Sequence, residues 1–262
     1  VGIAEEHGAL FACGLAAEGM KPYIAIYSTF MQRCIDMIQH DAALQKLPVR
    51  FCMDRAGLSP DDGPTHHGLF DIAMIRSIPN IVFMQPKDEA EFVHMLRTMN
   101  HYQNGPTVIR YPRGCGAGVP LPSTPEILPI GKAEVLQTGK DVTLVSLGTM
   151  IGIARETAAL LEAQGHTITL INARFIKPLD DECIRRHAAS SRVVCTFEDH
   201  SISGGFNSAV LESLEAGGVT TPVEAIAWPD QFIEHGSEPI LRKKYGLTAE
   251  AALQKIIPHL NS

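Results

Sequence analysis

No apolar run in this 262-residue sequence approaches the roughly 18–20 residues that a transmembrane helix requires. Positive charge is also scarce, because 22 Lys and Arg residues stand against 29 Asp and Glu residues, for a formal net charge of −7. Nonspecific binding to nucleic acid depends on clustered cations. We therefore expect neither a membrane-spanning segment nor a nucleic-acid partner.

The six cysteines are scattered and include no C-x-x-C pair. In a chain of this length that pattern predicts reduced thiols, mostly buried as small hydrophobic residues, in a reducing compartment. The sequence begins at Val1 rather than Met and shows no signal or transit peptide. We expect it to be a piece of a longer chain.

Short apolar segments alternate with segments of helical periodicity along the whole sequence. Strands are predicted at the end segment 1–3 and at 22–27, 49–53, 81–84, 108–110, 142–147, 168–172, 193–197 and 223–227. Helices are predicted at 5–18, 30–44, 69–76, 88–99, 151–164, 180–187, 206–216 and 249–259. Thr29 and Asp88 are the expected N-caps of two of these helices.

This alternation predicts an α/β fold of two three-layer αβα domains with mostly parallel sheets. The first domain covers residues 1–118 and the second covers residues 131–262. Between them, residues 119–130 form a linker rich in Pro and Gly. A strand cut at Val1 would leave the first domain truncated at its N-terminus, which again favours a piece of a longer chain.

Ligands of such sheets bind beyond the carboxyl ends of the strands. In the first half these positions carry acids, imidazoles, guanidinium groups and aromatic rings. The candidates in chain order are Glu5, Glu6, His7, Tyr27, Ser28, Thr29, Phe30, Arg33, Asp54, Arg55, Asp62, Thr65, His66, His67, Tyr111 and Arg113. The second half lacks this density, and its Glu198-Asp199-His200 segment is expected to be a solvated turn or an interface.

Several of these residues have a structural explanation as well. Glu5 could be a first-turn acid that compensates the helix dipole, Phe30 a core residue and Arg33 a surface cation. Arg55 and Arg113 are better candidates, because Arg beside Gly at a strand end suits a bidentate anion such as phosphate. No metal site is expected, since the adjacent His66 and His67 point apart and no further ligand lies at a suitable spacing.

Six segments, in order along the chain, carry a resemblance to one family. They read Val-Gly-Ile-Ala-Glu-Glu-His (1–7), Ala-Ile-Tyr-Ser-Thr-Phe-Met-Gln-Arg (25–33), Asp-Arg-Ala-Gly-Leu (54–58), Asp-Gly-Pro-Thr-His-His-Gly (62–68), Arg-Tyr-Pro-Arg-Gly (110–114) and Pro-Asp-Gln-Phe-Ile-Glu-His-Gly (229–236). Together they resemble 1-deoxy-D-xylulose-5-phosphate synthases, which are transketolase-like thiamine diphosphate enzymes. The resemblance implies most of a pyrimidine-binding domain and all of a transketolase C-terminal domain.

The resemblance implies a transferase that condenses pyruvate with D-glyceraldehyde 3-phosphate, with loss of carbon dioxide, as the first step of non-mevalonate isoprenoid synthesis. Its cofactors are thiamine diphosphate and Mg²⁺, the metal and the diphosphate being held by an N-terminal domain missing from this chain. It further implies a homodimer located in the bacterial cytoplasm or a plastid stroma. This chain alone is then expected to be inactive.

The same resemblance assigns roles to individual residues. Glu5 matches the acid that bonds the cofactor's aminopyrimidine ring and is catalytic, while Phe30 matches the ring that stacks on the pyrimidine and Ile3 the apolar residue beneath the cofactor. Asp62 and His66 match a catalytic pair that handles protons. The residues expected to bind substrate are Tyr27, Arg33, Arg55 and Arg113.

The sequence departs from the family pattern at three places, and two other functions stay open. Glu6 replaces Gln, Ser59-Pro60-Asp61 replaces Val-Gly-Ala, and Cys115 replaces Asn. One alternative is the β subunit of a 2-oxo acid dehydrogenase, against which the 62–68 and 110–114 motifs stand. The other is a noncatalytic piece that serves dimerisation alone.

Overall fold

The computed structural model describes residues 1–261 and contains two five-stranded sheets. Its strands are β1 (Tyr23–Tyr27), β2 (Arg50–Asp54), β3 (Val82–Met84), β4 (Thr107–Arg110), β5 (Glu134–Gln137), β6 (Val142–Ser146), β7 (Ile168–Asn172), β8 (Phe175–Lys177), β9 (Val193–Ser201) and β10 (Val223–Trp228). The first sheet has the order β1-β2-β4-β3-β8 and the second has the order β10-β9-β6-β7-β5. Each is parallel except for one antiparallel edge strand, β8 or β5.

Helices cover these sheets. They are α1 (Glu5–Ala17), α2 (Ser28–Met31), α3 (Asp71–Arg76), α4 (Glu89–His101), α5 (Ile151–Glu162), α6 (Asp181–Ala189), α7 (Phe206–Ala216), α8 (Glu238–Tyr245) and α9 (Ala249–Leu260). The α/β class and the mostly parallel sheets predicted from the sequence are confirmed. Asp88 caps α4 as expected, since its side chain accepts a hydrogen bond from the Glu91 amide.

Alternate side chains of the second sheet face opposite layers, as the period of a strand requires. Leu144 packs in a cluster with α5 and α9. The next residue, Val145, packs in a cluster that contains α6 and α7 residues together with Phe83 and Val108 of the first sheet. One apolar cluster therefore contains residues of both sheets and packs them together. No helix within residues 1–261 is both long and apolar enough to cross a bilayer.

Two local predictions are wrong, and one predicted helix has an irregular backbone. Residues 1–3 form no strand, because no neighbouring strand pairs with them. The helix expected at 30–44 is present as continuous helical backbone over residues 28–43, but its hydrogen-bonding period changes from α2 to a 3₁₀ turn at Gln32–Cys34 and then to a π-helical segment at Met37–Ala43. Thr29 is no cap, since α2 begins at Ser28 and the Thr29 hydroxyl donates to the Thr65 carbonyl at 3.2 Å.

Three elements were not predicted at all, namely β5, β8 and α8. Strand β8 is notable because it follows β7 of the second sheet in sequence but pairs with β3 of the first. The ammonium of Lys177 in β8 donates to the carbonyls of Arg76 at 2.8 Å and Ile78 at 2.7 Å. The second half of the chain thus completes the sheet of the first half.

Arg110, the last residue of β4, joins the two sheets through a guanidinium that is fully buried. Its Nε donates to Asp71 Oδ2 at 3.0 Å and its Nη1 to Gln85 Oε1 at 2.6 Å. Its Nη2 donates to the carbonyls of Gly68 at 3.3 Å and Asp199 at 3.2 Å, the latter in β9. A buried charge is tolerated only when it is paired and hydrogen-bonded in this way.

Arg110→Leu in the intact protein should lower the free energy of unfolding by about 3–5 kcal/mol, because it leaves Asp71 as an uncompensated buried charge. Arg97→Leu is the matched control, since Arg97 is exposed on α4, and should change the value by less than about 0.5 kcal/mol. Urea denaturation measures both. Equal effects of the two substitutions would contradict the assigned role of Arg110.

Candidate active site

The carboxyl ends of the parallel strands of the first sheet meet at one edge. Tyr27 ends β1 opposite Asp54 of β2, and Met53 of β2 pairs with Arg110 of β4. The chain that leaves each of these strands therefore enters the same region. Arg55 follows β2 in the left-handed backbone region, with φ of 55°.

Glu5 is the first residue of α1 and is 95% shielded, with 5% of its surface exposed. Its Oε1 accepts a hydrogen bond from Arg33 Nη1 at 3.1 Å. Its Oε2 is buried and has no partner among the described residues. An unpaired buried oxygen costs free energy, so this atom is suited to a polar group brought by a ligand.

Three rings lie together next to Glu5 and Arg33. Phe30 stacks on Tyr27 with the ring centroids 5.7 Å apart, and its edge-to-face contact with His66 has a centroid distance of 5.3 Å. The guanidinium carbons of Arg33 and Arg55 lie 5.1 Å from the Phe30 centroid and 4.1 Å from the Tyr27 centroid, within the range of cation–π attraction.

Asp62 lies between two guanidinium groups. Its Oδ2 accepts hydrogen bonds from Arg55 Nη1 and from Arg113 Nη1, the second at 3.1 Å. Arg113 also pairs with Asp61 at 3.2 Å. Two arginines that converge on one carboxylate form an anion-binding arrangement, and here the protein's own acid fills it.

Eight of the nine predicted site residues thus form one unbroken chain of contacts. It runs through Glu5, Arg33, Phe30, His66, Tyr27, Arg55, Asp62 and Arg113. Ile3, the ninth, is 90% exposed and lies outside this chain. Of the residues that depart from the family pattern, Glu6 and Cys115 are exposed, whereas Ser59 is buried.

A loop of residues 57–68 carries Asp62 and His66, and two glycines close it. Gly57 N donates to the Gly68 carbonyl at 2.9 Å and Gly68 N donates to the Gly57 carbonyl at 2.8 Å. A Cβ on Gly57 would lie 2.0 Å from Asp199 Oδ2, and one on Gly68 would lie 2.4 Å from Ser28 Oγ. Only glycine fits either position, which holds the loop tightly against both β9 and α2.

Sequence reasoning missed the importance of the Glu198-Asp199-His200 segment. The three residues extend β9 and are buried between the halves, so of the two expectations the interface is right and the solvated turn is wrong. Asp199 Oδ1 accepts from Trp228 Nε1 at 2.6 Å, and Oδ2 accepts from Leu58 N at 3.3 Å. Three polar residues that continue an apolar strand were the available signal.

Burial perturbs the two neighbours of Asp199 in opposite directions. It raises the pKa of Glu198 to about 8, although the amides of Phe206 and Asn207 at the start of α7 donate to this carboxyl and oppose the change. It lowers the pKa of His200 to about 4. Near neutral pH Glu198 therefore keeps its proton and His200 stays uncharged.

A cleft of about 810 Å³ lies between the two halves, next to Asp199. Tyr111 and Arg113 line it on one side, and Asp199 and Arg242 line it on the other. No cluster of three or more His, Cys, Asp or Glu side chains within residues 1–261 is arranged to hold a metal ion.

Comparisons with known proteins match the chain on both halves. Residues 1–117 match the family model of the transketolase pyrimidine-binding domain, and residues 131–251 match that of the transketolase C-terminal domain. A 1-deoxy-D-xylulose-5-phosphate synthase of Methylacidiphilum infernorum is 54% identical over 100% of this chain and 42% of its own length. That of Synechococcus elongatus is 49% identical over 100% and 41%, respectively.

A solved structure of a split-gene transketolase, described as an inactive β4 tetramer, superposes with a TM-score of 0.88 at 32% identity. That match covers 100% of this chain and 83% of the other. By contrast, the chain spans about two fifths of the length of the curated relatives it matches.

The two perturbed pKa values predict how stability depends on pH. Burial disfavours the charged form of Glu198 in the folded state, so stability falls as pH rises from the ordinary pKa of 4.5 to about 8. His200 affects stability only below its ordinary pKa of 6.5. There the stability falls as pH falls towards the lowered pKa of about 4. Between pH 6.5 and 8 the intact protein should therefore lose up to about 1.4 kcal/mol per pH unit through Glu198.

Glu198→Gln should flatten this slope, because the amide does not titrate. Unfolding free energies measured at several pH values in that window compare the variant with the unsubstituted protein. Two parallel curves would show that Glu198 is ionised in the fold.

Proposed function

The chain belongs to the transketolase-like family that contains the 1-deoxy-D-xylulose-5-phosphate synthases, and from that membership we propose that the whole protein condenses pyruvate with D-glyceraldehyde 3-phosphate. The carboxylate of pyruvate leaves as carbon dioxide, and the remaining two-carbon unit joins the aldehyde carbon to give 1-deoxy-D-xylulose 5-phosphate. The observation that carries this proposal is the buried Glu5 carboxyl with its unpartnered Oε2.

The residues present fit thiamine diphosphate at this place. Glu5 would hold the aminopyrimidine ring through the free Oε2, while Arg33 keeps the other oxygen in place. Phe30 offers an aromatic surface beside it, and Ile3 is proposed to contact the cofactor from its exposed position. When bound, the cofactor supplies an electron sink for the decarboxylation.

The arginine pair supports the proposed aldehyde substrate. Arg55 and Arg113 already hold one anion, the Asp62 carboxylate, and a guanidinium can likewise donate two hydrogen bonds to a pair of oxygens of the more highly charged phosphate. Tyr27 and Arg33 line the path between this pair and Glu5. We assign to His66 and Asp62 the gain or loss of the hydroxyl proton as the new bond forms.

Further parts of the proposal concern the whole protein. We place Mg²⁺ and the diphosphate on residues beyond this sequence, since the chain spans about two fifths of its relatives. Residues 1–118 and 131–262 are proposed to be two domains joined by the 119–130 linker. A homodimer is supported by apolar side chains exposed on α1, with Leu10 50% and Phe11 61% exposed. A cytoplasmic location is supported only by the bacterial origin of the relatives.

One observation favours a second arrangement, in which the chain is one subunit of a two-chain enzyme. The split-gene transketolase chain is matched over 83% of its length, so a chain of this extent exists as a separate subunit in that protein. The mass of the native polypeptide distinguishes the two arrangements. A polypeptide no longer than the present sequence would favour the subunit, and one more than twice as long would favour the single-chain synthase.

The full-length protein, with thiamine diphosphate and Mg²⁺, should release carbon dioxide from pyruvate and form the five-carbon product when D-glyceraldehyde 3-phosphate is added. Glu5→Gln should reduce the rate at least about 100-fold, because the amide can still hydrogen-bond the cofactor's ring but cannot exchange a proton with it as the carboxyl can. Glu6→Gln is the matched control, since the carboxylate of Glu6 is next to Glu5 in the sequence but is exposed. Wild-type protein that forms no product would sink the proposal.

Arg113→Ala should raise the KM for D-glyceraldehyde 3-phosphate by about 10–100-fold, because one charge-assisted contact to the phosphate is lost. The KM for pyruvate should change little. Unphosphorylated D-glyceraldehyde serves as the internal control, since the substitution should not weaken its already poor use. Equal losses for all three substrates would remove the phosphate role from Arg113.

A further inference from the structure

His67 lies between the two halves and takes no part in the chemistry assigned above. Only 4% of its surface is exposed, whereas the preceding residue, His66, contacts the Phe30 ring of the candidate active site. Its Nδ1 accepts a hydrogen bond from Ser59 N at 3.0 Å, at the start of the 57–68 loop. Its Nε2 lies 3.4 Å from the carbonyl oxygen of Glu234, which belongs to the second half.

The partners determine the protonation of this ring. A backbone N–H can only donate, so Nδ1 of His67 must be the bare nitrogen. The proton is then on Nε2, which points at a carbonyl that can only accept. Burial lowers the pKa of His67 and so supports the same neutral form. One neutral imidazole thus connects Ser59 in the first half to Glu234 in the second.

The acceptor on the far side is itself held in place. The segment of residues 229–237 contains no helix or strand, yet its Glu234 carboxylate bonds both Lys244 and Tyr245 of α8. Tyr245 in turn packs edge-to-face on the buried Trp228, with the ring centroids 5.8 Å apart. Glu234 therefore offers its carbonyl from an anchored position.

A second contact joins the same two segments. Gly63, next to Asp62, has φ of 76°, and a Cβ built on it would lie 3.3 Å from both Cβ and Cδ2 of His235. The 229–237 segment therefore covers the turn that presents Asp62. It reaches His67 on one side of this turn and Gly63 on the other.

We propose that His67 is a positioning residue that, through the carbonyl of Glu234, lets the second half hold the 57–68 loop with Asp62 and His66 in working position. The inference rests on the proposed function for the roles of Asp62 and His66. The connection from the 57–68 loop through His67 to the Glu234 carbonyl is a property of the fold and can be measured without any reaction.

A pair of substitutions separates the two hydrogen bonds of His67. The amide nitrogen of Gln can replace Nε2 and keep the bond to Glu234, whereas the oxygen of Asn can replace Nδ1 and keep only the bond to Ser59. In the full-length protein, His67→Asn should speed hydrogen exchange of the 59–67 backbone amides about tenfold, and His67→Gln should leave it within about threefold of wild type. Mass spectrometry of the exchanged peptides gives these rates.

The opposite ranking, with Asn close to wild type and Gln fast, would show that only the local bond to Ser59 matters and would overturn the proposal. Unchanged exchange in both variants would overturn it as well. If neither variant folds, Tyr245→Phe tests the same connection from the second half. It removes only the hydroxyl that donates to the Glu234 carboxylate. Lys243→Met, exposed on the same helix, is its control.

Tyr245→Phe should speed hydrogen exchange in residues 59–67 as well as in residues 229–237. An effect confined to residues 229–237 would show that Glu234 does not hold the 57–68 loop through His67. In the activity assay, His67→Asn should lower kcat/KM about tenfold or more, because small misplacement of reacting groups is costly, and His67→Gln should restore most of it. A wild-type protein without activity would refute the proposed function, while the exchange rates would still decide whether His67 holds the loop.

Discussion

Arg110 places a guanidinium between the two sheets, and four of its N–H groups donate to four different segments of the chain. Asp71 supplies the compensating charge and also accepts a hydrogen bond from the Ser28 hydroxyl at 2.8 Å. Asp71 therefore connects α3, to which it belongs, with Ser28 of α2 and with Arg110. Because a buried cation must keep all these partners, the geometry of each segment constrains the others. The candidate active site is built on this constraint.

The 57–68 loop shows how the constraint reaches the reacting groups. Arg110 holds its end at the Gly68 carbonyl, and the Asp199 carboxylate holds its start at the Leu58 amide. Because both ends of the loop are fixed, Asp62 is held within hydrogen-bonding distance of Arg55 and Arg113. The second half lends no side chain to the contact chain that begins at Glu5, yet it determines where much of that chain lies.

The sequence predicted the candidate site better than it predicted what supports it. Tyr27 ends one apolar strand and Arg55 directly follows the next, so the rule for strand ends predicted that they lie close together, as the ring contact between them shows. The contact between Arg110 and Asp199 joins positions 89 residues apart, and no local pattern reports such a pairing. The change of helix type within residues 28–43 was not predicted, because Met31, Cys34, Ile38 and Ala42 keep a helical burial period while the backbone tightens to 3₁₀ and then widens to π. For α8, by contrast, Pro239 near its start and Gly246 at its end were readable signals.

Strand β8 carries a consequence for how the two halves can be separated. Because this strand lies beyond the Pro/Gly-rich linker in sequence but borders β3 in the first sheet, cutting the chain in the linker would not release two self-sufficient modules. The first half would be left with β3, whose Val82, Phe83 and Met84 are all buried, as a bare apolar edge. Such edges template intermolecular strand pairing, so the first half expressed by itself would be prone to aggregate through β3.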